Sequence, residues 1–418
     1  MQDVIAYIDA ARTTGRKQGL ENTLRLMEKL HIMPSVPVVH IAGTNGKGST
    51  CAMLAFILES AGLRTGLYTS PFLQTYAERF RIGGRLATEE EIQEAGVRLM
   101  AAAEALRGEG VFPTPFELGT ALACLLFEDT ACQVWILETG MGGTFDATTA
   151  VPATLCGITP IGMDHRQYLG TSLQEIAGHK AGIMRPNVPC IAALMAEAAA
   201  QVLARHAQET GAPLRMPPGS LSEVRTGRTG TDAVISAREQ YALHIPLAGS
   251  HQAENALLAV SLAEELRAQG VCIPKSAIEA GIARVRWPGR LEWCGNVLID
   301  GAHNPPALEA LGRYLQTLSQ PPVLVAAVMA DKDLEAVSDA LGRLSDRIVC
   351  VPLHSPRALS PDVLADMLQR RGVTAFCAQD LPSGLQLARE KAGEGDIVCT
   401  GSLYLAGEVR TALGLEPV

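Results

Sequence analysis

The most constraining feature of this chain is a seven-residue turn, Gly43-Thr44-Asn45-Gly46-Lys47-Gly48-Ser49, set between two different apolar patterns. Before it runs VPVVHIAG (Val36 to Gly43), a short β-branched stretch that reads as a buried parallel strand. After it, Ser49 to Ala61 carries a helical pattern. Glycines let the backbone between them curl so that its N–H groups point at one spot, and the helix N-terminus adds a favourable dipole. Such a turn is built to cradle phosphate, with Lys47 reaching the β- and γ-phosphates as a point charge. The spacing is one residue shorter than the common G-x-x-x-x-G-K-[ST] form, and Gly48 separates Lys47 from Ser49. The reading is a nucleoside triphosphate site on Gly43, Thr44, Asn45, Gly46, Lys47, Gly48 and Ser49.

The surrounding sequence places this turn in an α/β fold. GLENTLRLMEKL (Gly19 to Leu30) fits an amphipathic helix, and helical stretches then alternate with the apolar strands RTGLYTS, QVWILETG, ATLCGITP and VPCIAAL. That alternation predicts a doubly wound, mostly parallel sheet. Leu214 to Ala248 is rich in Gly, Ser, Thr and Arg and is expected to form irregular or antiparallel structure at one sheet edge. A helical pattern resumes at His251 and runs to about Ala283. Arg286-Trp287-Pro288-Gly289-Arg290 then breaks the periodicity and is the expected hinge. Beyond it NVLID, PVLVAAVM, DRIVCVPL, VTAFC and DIVCTG restart the alternation. The expectation is an N-terminal P-loop domain over 1–287 and a smaller C-terminal Rossmann-like α/β domain over 292–418. A chain of 418 residues is long enough for two such cores.

Composition narrows the partners. Hydrophobic content of 47% with 19% charged residues is that of a folded globular chain. A net charge of −9 gives no general attraction to nucleic acid, although a few basic residues can still build a local anion pocket. Ten scattered cysteines without a C-x-x-C pair, several in apolar runs, read as buried reduced thiols rather than a metal site. With no signal peptide and no apolar run of membrane-spanning length, a cytoplasmic protein is expected, without membrane attachment and acting as a monomer.

Further motifs accompany the turn: TSPFL (Thr69 to Leu73), ERFRIGG (Glu78 to Gly84), PFELGTALA (Pro115 to Ala123), LETGMGGTFDAT (Leu137 to Thr148), DHRQYLG (Asp164 to Gly170) and HKAGIM (His179 to Met184). GSHQAENA (Gly249 to Ala256), RWPGRLEW (Arg286 to Trp293), DGAHNP (Asp300 to Pro305) and GSLYLAGEV (Gly401 to Val409) follow. Together with GTNGKGS, in this order and over most of the chain, they resemble the folylpolyglutamate synthase/dihydrofolate synthase branch of the Mur ligase superfamily. The resemblance implies an ATP-dependent ligase that turns a folate or dihydropteroate carboxylate into an acyl phosphate and joins it to L-glutamate, releasing ADP and phosphate. Phosphoryl transfer of this kind needs positioning and charge neutralisation more than covalent help.

The resemblance also implies roles for single residues. Ser70, Glu138, His165 and Lys180 are the expected residues for one or two Mg²⁺. The first two also follow the ends of predicted strands, where hard oxygen ligands can face a phosphate. Lys180 matches a lysine that the family carboxylates on its amine, although a lysine in a helix is ordinarily solvated. Lys47, His165, Lys180 and Arg290 are the expected catalytic set, with Arg290 brought onto the γ-phosphate by lobe closure. Asn255, with Gln252 as a neighbour, and Asp300 match nucleotide contacts. His303 and Ser402 match contacts of the incoming glutamate. Thr114, Phe116, Glu117, Phe145, Asp146 and Ala147 match the pterin side, where Phe116 or Phe145 can either stack on a planar ring or serve as core.

Three positions depart from the family pattern: Phe72 replaces a common His, Thr144 an Arg and Thr149 an Asn. They bear on substrate detail rather than ATP chemistry. A cell-wall ligase of the same superfamily is disfavoured, because those enzymes carry a nucleotide-sugar domain before the phosphate turn. A nucleotide-binding module without ligase activity is the remaining alternative, and it gives no use to Glu138, His165, Lys180 and Arg290 together.

Overall fold

The computed structural model describes residues 1–11 and 19–418. Val38–Ala42, the strand before the turn, is buried along its whole length. It pairs in parallel with Val134–Glu138 on one side and Leu155–Ile158 on the other. It is thus the inner strand of an eight-stranded sheet. Outward on one side follow Thr65–Tyr68 and the antiparallel strands Phe80–Ile82 and Arg85–Leu86. On the other side follow Cys190–Ala192 and Leu214–Arg215. Alternate residues point to opposite faces, so Val39 and Ile41 enter one apolar core while Val38 enters another. The five strands expected from the apolar runs are all present. The hairpin Phe80–Leu86 was not among them, because strands of two and three residues turning at Gly83 and Gly84 leave no periodicity to read.

The phosphate turn opens helix Lys47–Ser60, two residues earlier than the apolar pattern indicates. The helix is almost wholly buried, packed between the sheet and helices His251–Ala268 and Lys275–Arg284. The helical pattern expected from His251 to Ala283 is therefore two helices. Gly270, at φ +98°, and Pro274 at the start of the second break it.

Leu214–Ala248 holds the expected antiparallel structure, but most of it lies apart from the main sheet's edge. Only Leu214–Arg215 joins the edge of the main sheet. Ser220–Gly227, Gly230–Ser236 and Gln240–Ile245 form a separate antiparallel three-stranded sheet. Its alternating burial puts Tyr241, Leu243 and Ile245 into the same core as the helix after the phosphate turn.

A second sheet holds all later strands, in the order Glu292–Cys294, Val297–Ile299, Ile397–Thr400, Val323–Ala326, Arg347–Cys350 and Thr374–Cys377. All its pairs are parallel except the first, an antiparallel edge. Apolar clusters cover both faces, with Leu324 and Ala326 in one and Val323 and Val325 in the other. All ten cysteines are free thiols and seven are buried as expected, but Cys294 is half-buried and Cys272 and Cys377 are exposed. No helix among the described residues is long and apolar enough to cross a membrane.

One buried carboxylate, among several polar contacts, ties the small sheet to its helix. The Glu264 side chain is fully buried and accepts hydrogen bonds from the backbone N–H groups of Arg238 (2.7 Å) and Glu239 (2.8 Å) and from the Tyr241 hydroxyl (3.0 Å). Removing it strands three donors, the buried Tyr241 hydroxyl and two partly buried N–H groups, at a cost of about 3 kcal/mol. Glu264→Ala should therefore lower the unfolding free energy by about that amount in a denaturant titration. A loss below about 0.5 kcal/mol, the ordinary range for an uninvolved surface position, would contradict this role.

Candidate active site

The phosphate turn takes its shape from close backbone packing. Gly43 has φ +142°, and a Cβ there would lie 1.8 Å from Thr159 Oγ1; at Gly46, φ +87°, it would lie 2.2 Å from Asn255 Oδ1. No residue with a side chain fits either place. Thr44 fixes the turn below: its hydroxyl donates to the Gly162 carbonyl at 3.1 Å and accepts from the Gly162 N–H at 3.0 Å.

Around this turn lies a cavity of about 440 Å³, a size suited to a nucleotide-sized ligand. The first lobe supplies Gly43 to Ser49, Ser70, Glu138, His165, Lys180, Gln252 and Asn255. The second supplies Asp300, His303 and Ser402, and Arg290 lies between them. Sequence-distant residues singled out for ATP, metal and glutamate thus meet in one place.

Charges here are buried and opposed. Glu138 lies at the end of its strand, 4% exposed, with Lys47 Nζ 3.8 Å away and the Ser70 N–H donating to it at 3.2 Å. Burial pushes its carboxyl above the usual range, and Lys47, Ser70 and Arg290 oppose that. Lys180, on helix Leu173–Ala181, is not the solvated lysine that its helical setting suggests. It is 4% exposed and its Nζ donates to the Gly43 carbonyl at 2.6 Å. Burial first, and then the Lys47 charge, push its amine down to about 7. His165 stands at the N-cap of Arg166–Leu169 in a left-handed conformation, φ 51°, but its ring does not cap the helix. Burial lowers its imidazole to about 4, so near neutral pH the ring is uncharged and can act as a ligand.

Across the cleft, Asp300 accepts from the N–H groups of Leu291 (3.0 Å) and Ala302 (2.9 Å), which ties Leu291 to the end of the Val297–Ile299 strand. Burial raises its carboxyl and weakens the Arg290 cation; the attraction between the two works against both shifts. Ser402 caps helix Leu403–Ala412 by accepting from the Tyr404 N–H at 3.1 Å. Gln252 is fully buried; its Oε1 accepts from Asn255 at 3.0 Å, while its Nε2 is left without a partner.

The pterin-side residues lie outside the cavity lining. Thr114 and Glu117 form the capping box of helix Pro115–Asp129, and Glu117 also accepts from the Thr23 hydroxyl at 3.3 Å. Phe116 packs against the first-lobe core, its ring 5.9 Å from that of Tyr68. Phe145 is 47% exposed beside His179. Asp146 is buried, accepting from the Met141 N–H at 2.8 Å and from Thr148, and Ala147 is buried next to it. Of the departures, Thr144 and Thr149 stitch this loop together. Their hydroxyls donate to the carbonyls of His179 (3.2 Å) and Gly143 (2.6 Å). Phe72 lies under the Arg79 guanidinium, 5.3 Å from its ring centre.

Sequence reasoning missed the groups that bridge the lobes. Asp164 accepts from Lys332 Nζ (2.7 Å) and Asn304 Nδ2 (2.8 Å), with His303 Nε2 at 3.5 Å. Burial works to raise its carboxyl, but His303 and Lys332 outweigh that and hold it well below the usual carboxylate range. Asn304 and Asn45 exchange amide hydrogen bonds at 3.0 and 3.1 Å, joining the phosphate turn to the second lobe. Asp164 sits beside His165 in DHRQYLG, and Lys332 lies between two aspartates just after a strand. Those were the available signals.

Known proteins resemble this chain in sequence and fold. Residues 41–263 match the family described as Mur ligase middle domain, and residues 289–402 that described as Mur ligase, glutamate ligase domain. The chain is 32% identical to a dihydrofolate synthase/folylpolyglutamate synthase of Bacillus subtilis, over 99% of both chains. It is also 32% identical to the Escherichia coli protein of that name, over 97% of this chain and 93% of the other. A Mycobacterium tuberculosis folylpolyglutamate synthase solved with ADP and AMPPCP superposes with a TM-score of 0.91 at 30% identity, covering 100% of this chain and 99% of that one. E. coli FolC in complex with DHPP and ADP superposes with a TM-score of 0.87 at 30% identity, covering 99% of this chain and 97% of the other. The chain belongs to the folylpolyglutamate synthase/dihydrofolate synthase family of Mur ligases.

Proposed function

We propose that this protein uses ATP to ligate L-glutamate to the carboxylate of dihydropteroate or a reduced folate. The observation that carries the reading is the cavity itself: the phosphate turn, the partly buried Lys47 and the buried Lys180 on one wall, His303 and Ser402 on the other, and Arg290 between them. In the first step a carboxylate oxygen bonds the γ-phosphorus as the bond to the ADP oxygen breaks. Lys47 and Arg290 steady the charge that spreads over the phosphoryl oxygens. In the second step the glutamate amine bonds the acyl carbon, phosphate leaves and the amine loses a proton. His303 and Ser402 orient the amino acid. Asn255 and Gln252, whose free Nε2 is aimed at no protein acceptor, bind the nucleotide with Asp300. The exposed Phe145 ring offers a stacking face for a pterin, supporting that role over a core role.

Ser70, Glu138 and His165 fit Mg²⁺. They bring a hydroxyl, a buried carboxylate with a lysine 3.8 Å away and the Ser70 N–H at 3.2 Å, and a neutral imidazole. When bound, Mg²⁺ supplies neutralisation of phosphate charge. Among the described residues no three carboxylate, imidazole or thiol groups converge as a ready cage. This accords with a cation that takes part of its coordination from the nucleotide. Lys180 would add a carboxylate if its amine took up CO₂. That reaction needs the neutral amine, forms an N–C bond with loss of one proton, and leaves one N–H to keep the bond to Gly43. The lobes divide at 1–287 and 292–418, a reading supported by the two family matches on either side of the hinge. Both walls come from a single chain, which supports action as a monomer.

Purified protein with ATP, Mg²⁺ and labelled glutamate should incorporate label when given dihydropteroate or tetrahydrofolate. If neither supports incorporation while another carboxylate does, the substrate reading is wrong. Lys180→Ala should lose on the order of 10²-fold in turnover, in line with loss of a metal-supporting group, and recover partly with acetate or formate. Turnover equal to wild type in this variant would remove the carboxylation claim. Because the amine is pushed down to about 7, its neutral form grows between pH 6 and 8. Uptake of ¹³CO₂ at Lys180, read by NMR, should rise over that interval. Uptake that is flat or falls with pH would contradict it.

A further inference from the structure

Helix Leu403–Ala412 touches three places that the proposed chemistry needs at once. Its N-cap, Ser402, lines the cavity. In its middle, Gly407 lies against Leu73 of the first lobe, so close that an added Cβ would come within 1.9 Å of the Leu73 carbonyl oxygen. Near its end, Arg410 is 2% exposed with every nitrogen occupied. Its Nε donates to Gln74 Oε1 at 2.9 Å, Nη1 to the Glu292 carboxylate and Nη2 to the Glu416 carbonyl. Glu292 in turn accepts from the Gly289 N–H at 2.8 Å, one residue before Arg290.

Gln74 belongs to the loop that leaves Ser70, and this loop is stiff. The Glu78 carboxylate accepts from the N–H groups of Leu73 (2.7 Å), Gln74 (3.2 Å) and Thr75 (3.3 Å). Yet its tip belongs to the other lobe. Leu73 packs into the second-lobe core, and the Gln74 amide donates to Thr411 Oγ1 (3.2 Å) and the Leu415 carbonyl (2.8 Å). A piece of the first lobe three residues beyond Ser70 is thus anchored in the second.

We infer that Gln74 and Arg410 are positioning residues for the ligation step. Their contact sets the Ser70 loop in register with the Ser402 helix and with the Gly289–Arg290 hinge, so the phosphoryl side and the amino-acid side of the site are aligned by one buried guanidinium. Neither residue lines the cavity, so the pair acts through Ser70, Arg290 and Ser402. The inference rests on the proposed ligase reading. Displacing a reacting group by about 1 Å costs on the order of 10²-fold, whereas nucleotide binding, spread over the phosphate turn, is largely preserved.

The test compares wild type, Gln74→Ala, Gln74→Glu and Arg410→Lys for glutamate-dependent ADP release, KM for ATP and thermal midpoint. Gln74→Ala should lose roughly 10-fold or more in kcat while KM for ATP stays within about twofold and the midpoint within about 3 °C. Gln74→Glu keeps an acceptor for Arg410 Nε, although it gives up the N–H donated to the Leu415 carbonyl, and should retain more of kcat than Gln74→Ala. Arg410→Lys, which lacks the planar fork, should fall with Gln74→Ala. Wild-type kcat in Gln74→Ala, or equal losses in the Ala and Glu variants, would overturn the inference. A wild-type protein without glutamate-dependent ADP release would overturn the ligase reading and this inference with it.

Discussion

The rest of the site depends on how tightly the backbone of Gly43 to Ser49 is packed. Thr159 closes against Gly43, Asn255 against Gly46 and Trp287 against Gly48, where an added Cβ would lie 3.0 Å from the indole nitrogen. A turn held this closely is organised before any ligand arrives, so its N–H groups need no ordering on binding. The same packing brings Lys180 onto the Gly43 carbonyl and Glu138 to within 3.8 Å of Lys47. Side chains from five separate segments are placed by one short piece of main chain.

The second lobe completes what the first begins. Asn304 both caps helix Pro305–Leu315 and pairs with Asn45 of the turn, so the geometry of a second-lobe helix is passed directly to the phosphate site. Asp164 collects Lys332, Asn304 and His303 across the same gap. Arg166 and Asp333 add an exposed pair at 2.7 Å that contributes little by itself. The lobes thus meet through partly buried polar contacts as well as the apolar seat of Leu73, and directional hydrogen bonds of this kind favour one relative position of the lobes.

Much of this is legible in the sequence because its signals are local. Glycine spacing between a strand and a helix identifies the turn, and unbroken apolar runs identify the parallel strands. Ser70, Glu138, Asp300 and Ser402 all fall at or just after strand ends, where open α/β sheets expose their ligand sites. What could not be read depends on distance or on weak periodicity. Lys180 is buried with its amine against the carbonyl of Gly43, 137 residues away. The partners of Asp164 are 140 and 168 residues away, and nothing near it announces them. The three-stranded sheet alternates polar and apolar residues in short strands, a pattern equally suited to an edge of the main sheet. The break between the two helices after His251 was written in Gly270 and Pro274, but apolar spacing continues across it. The capping roles of Thr114 and Glu117 show another limit. A Thr-x-x-Glu pattern before an apolar helix signals a helix start as readily as a substrate contact.

The central claim is that a triphosphate lies on the Gly43–Ser49 turn with both lobes upon it. A crystal structure of the protein with a non-hydrolysable ATP analogue tests this most directly. The account predicts the β- and γ-phosphates seated over the N–H groups of the turn, with Lys47 and Arg290 reaching them from opposite sides. Phosphates bound away from the turn, or an Arg290 side chain facing out of the cleft in that complex, would contradict it.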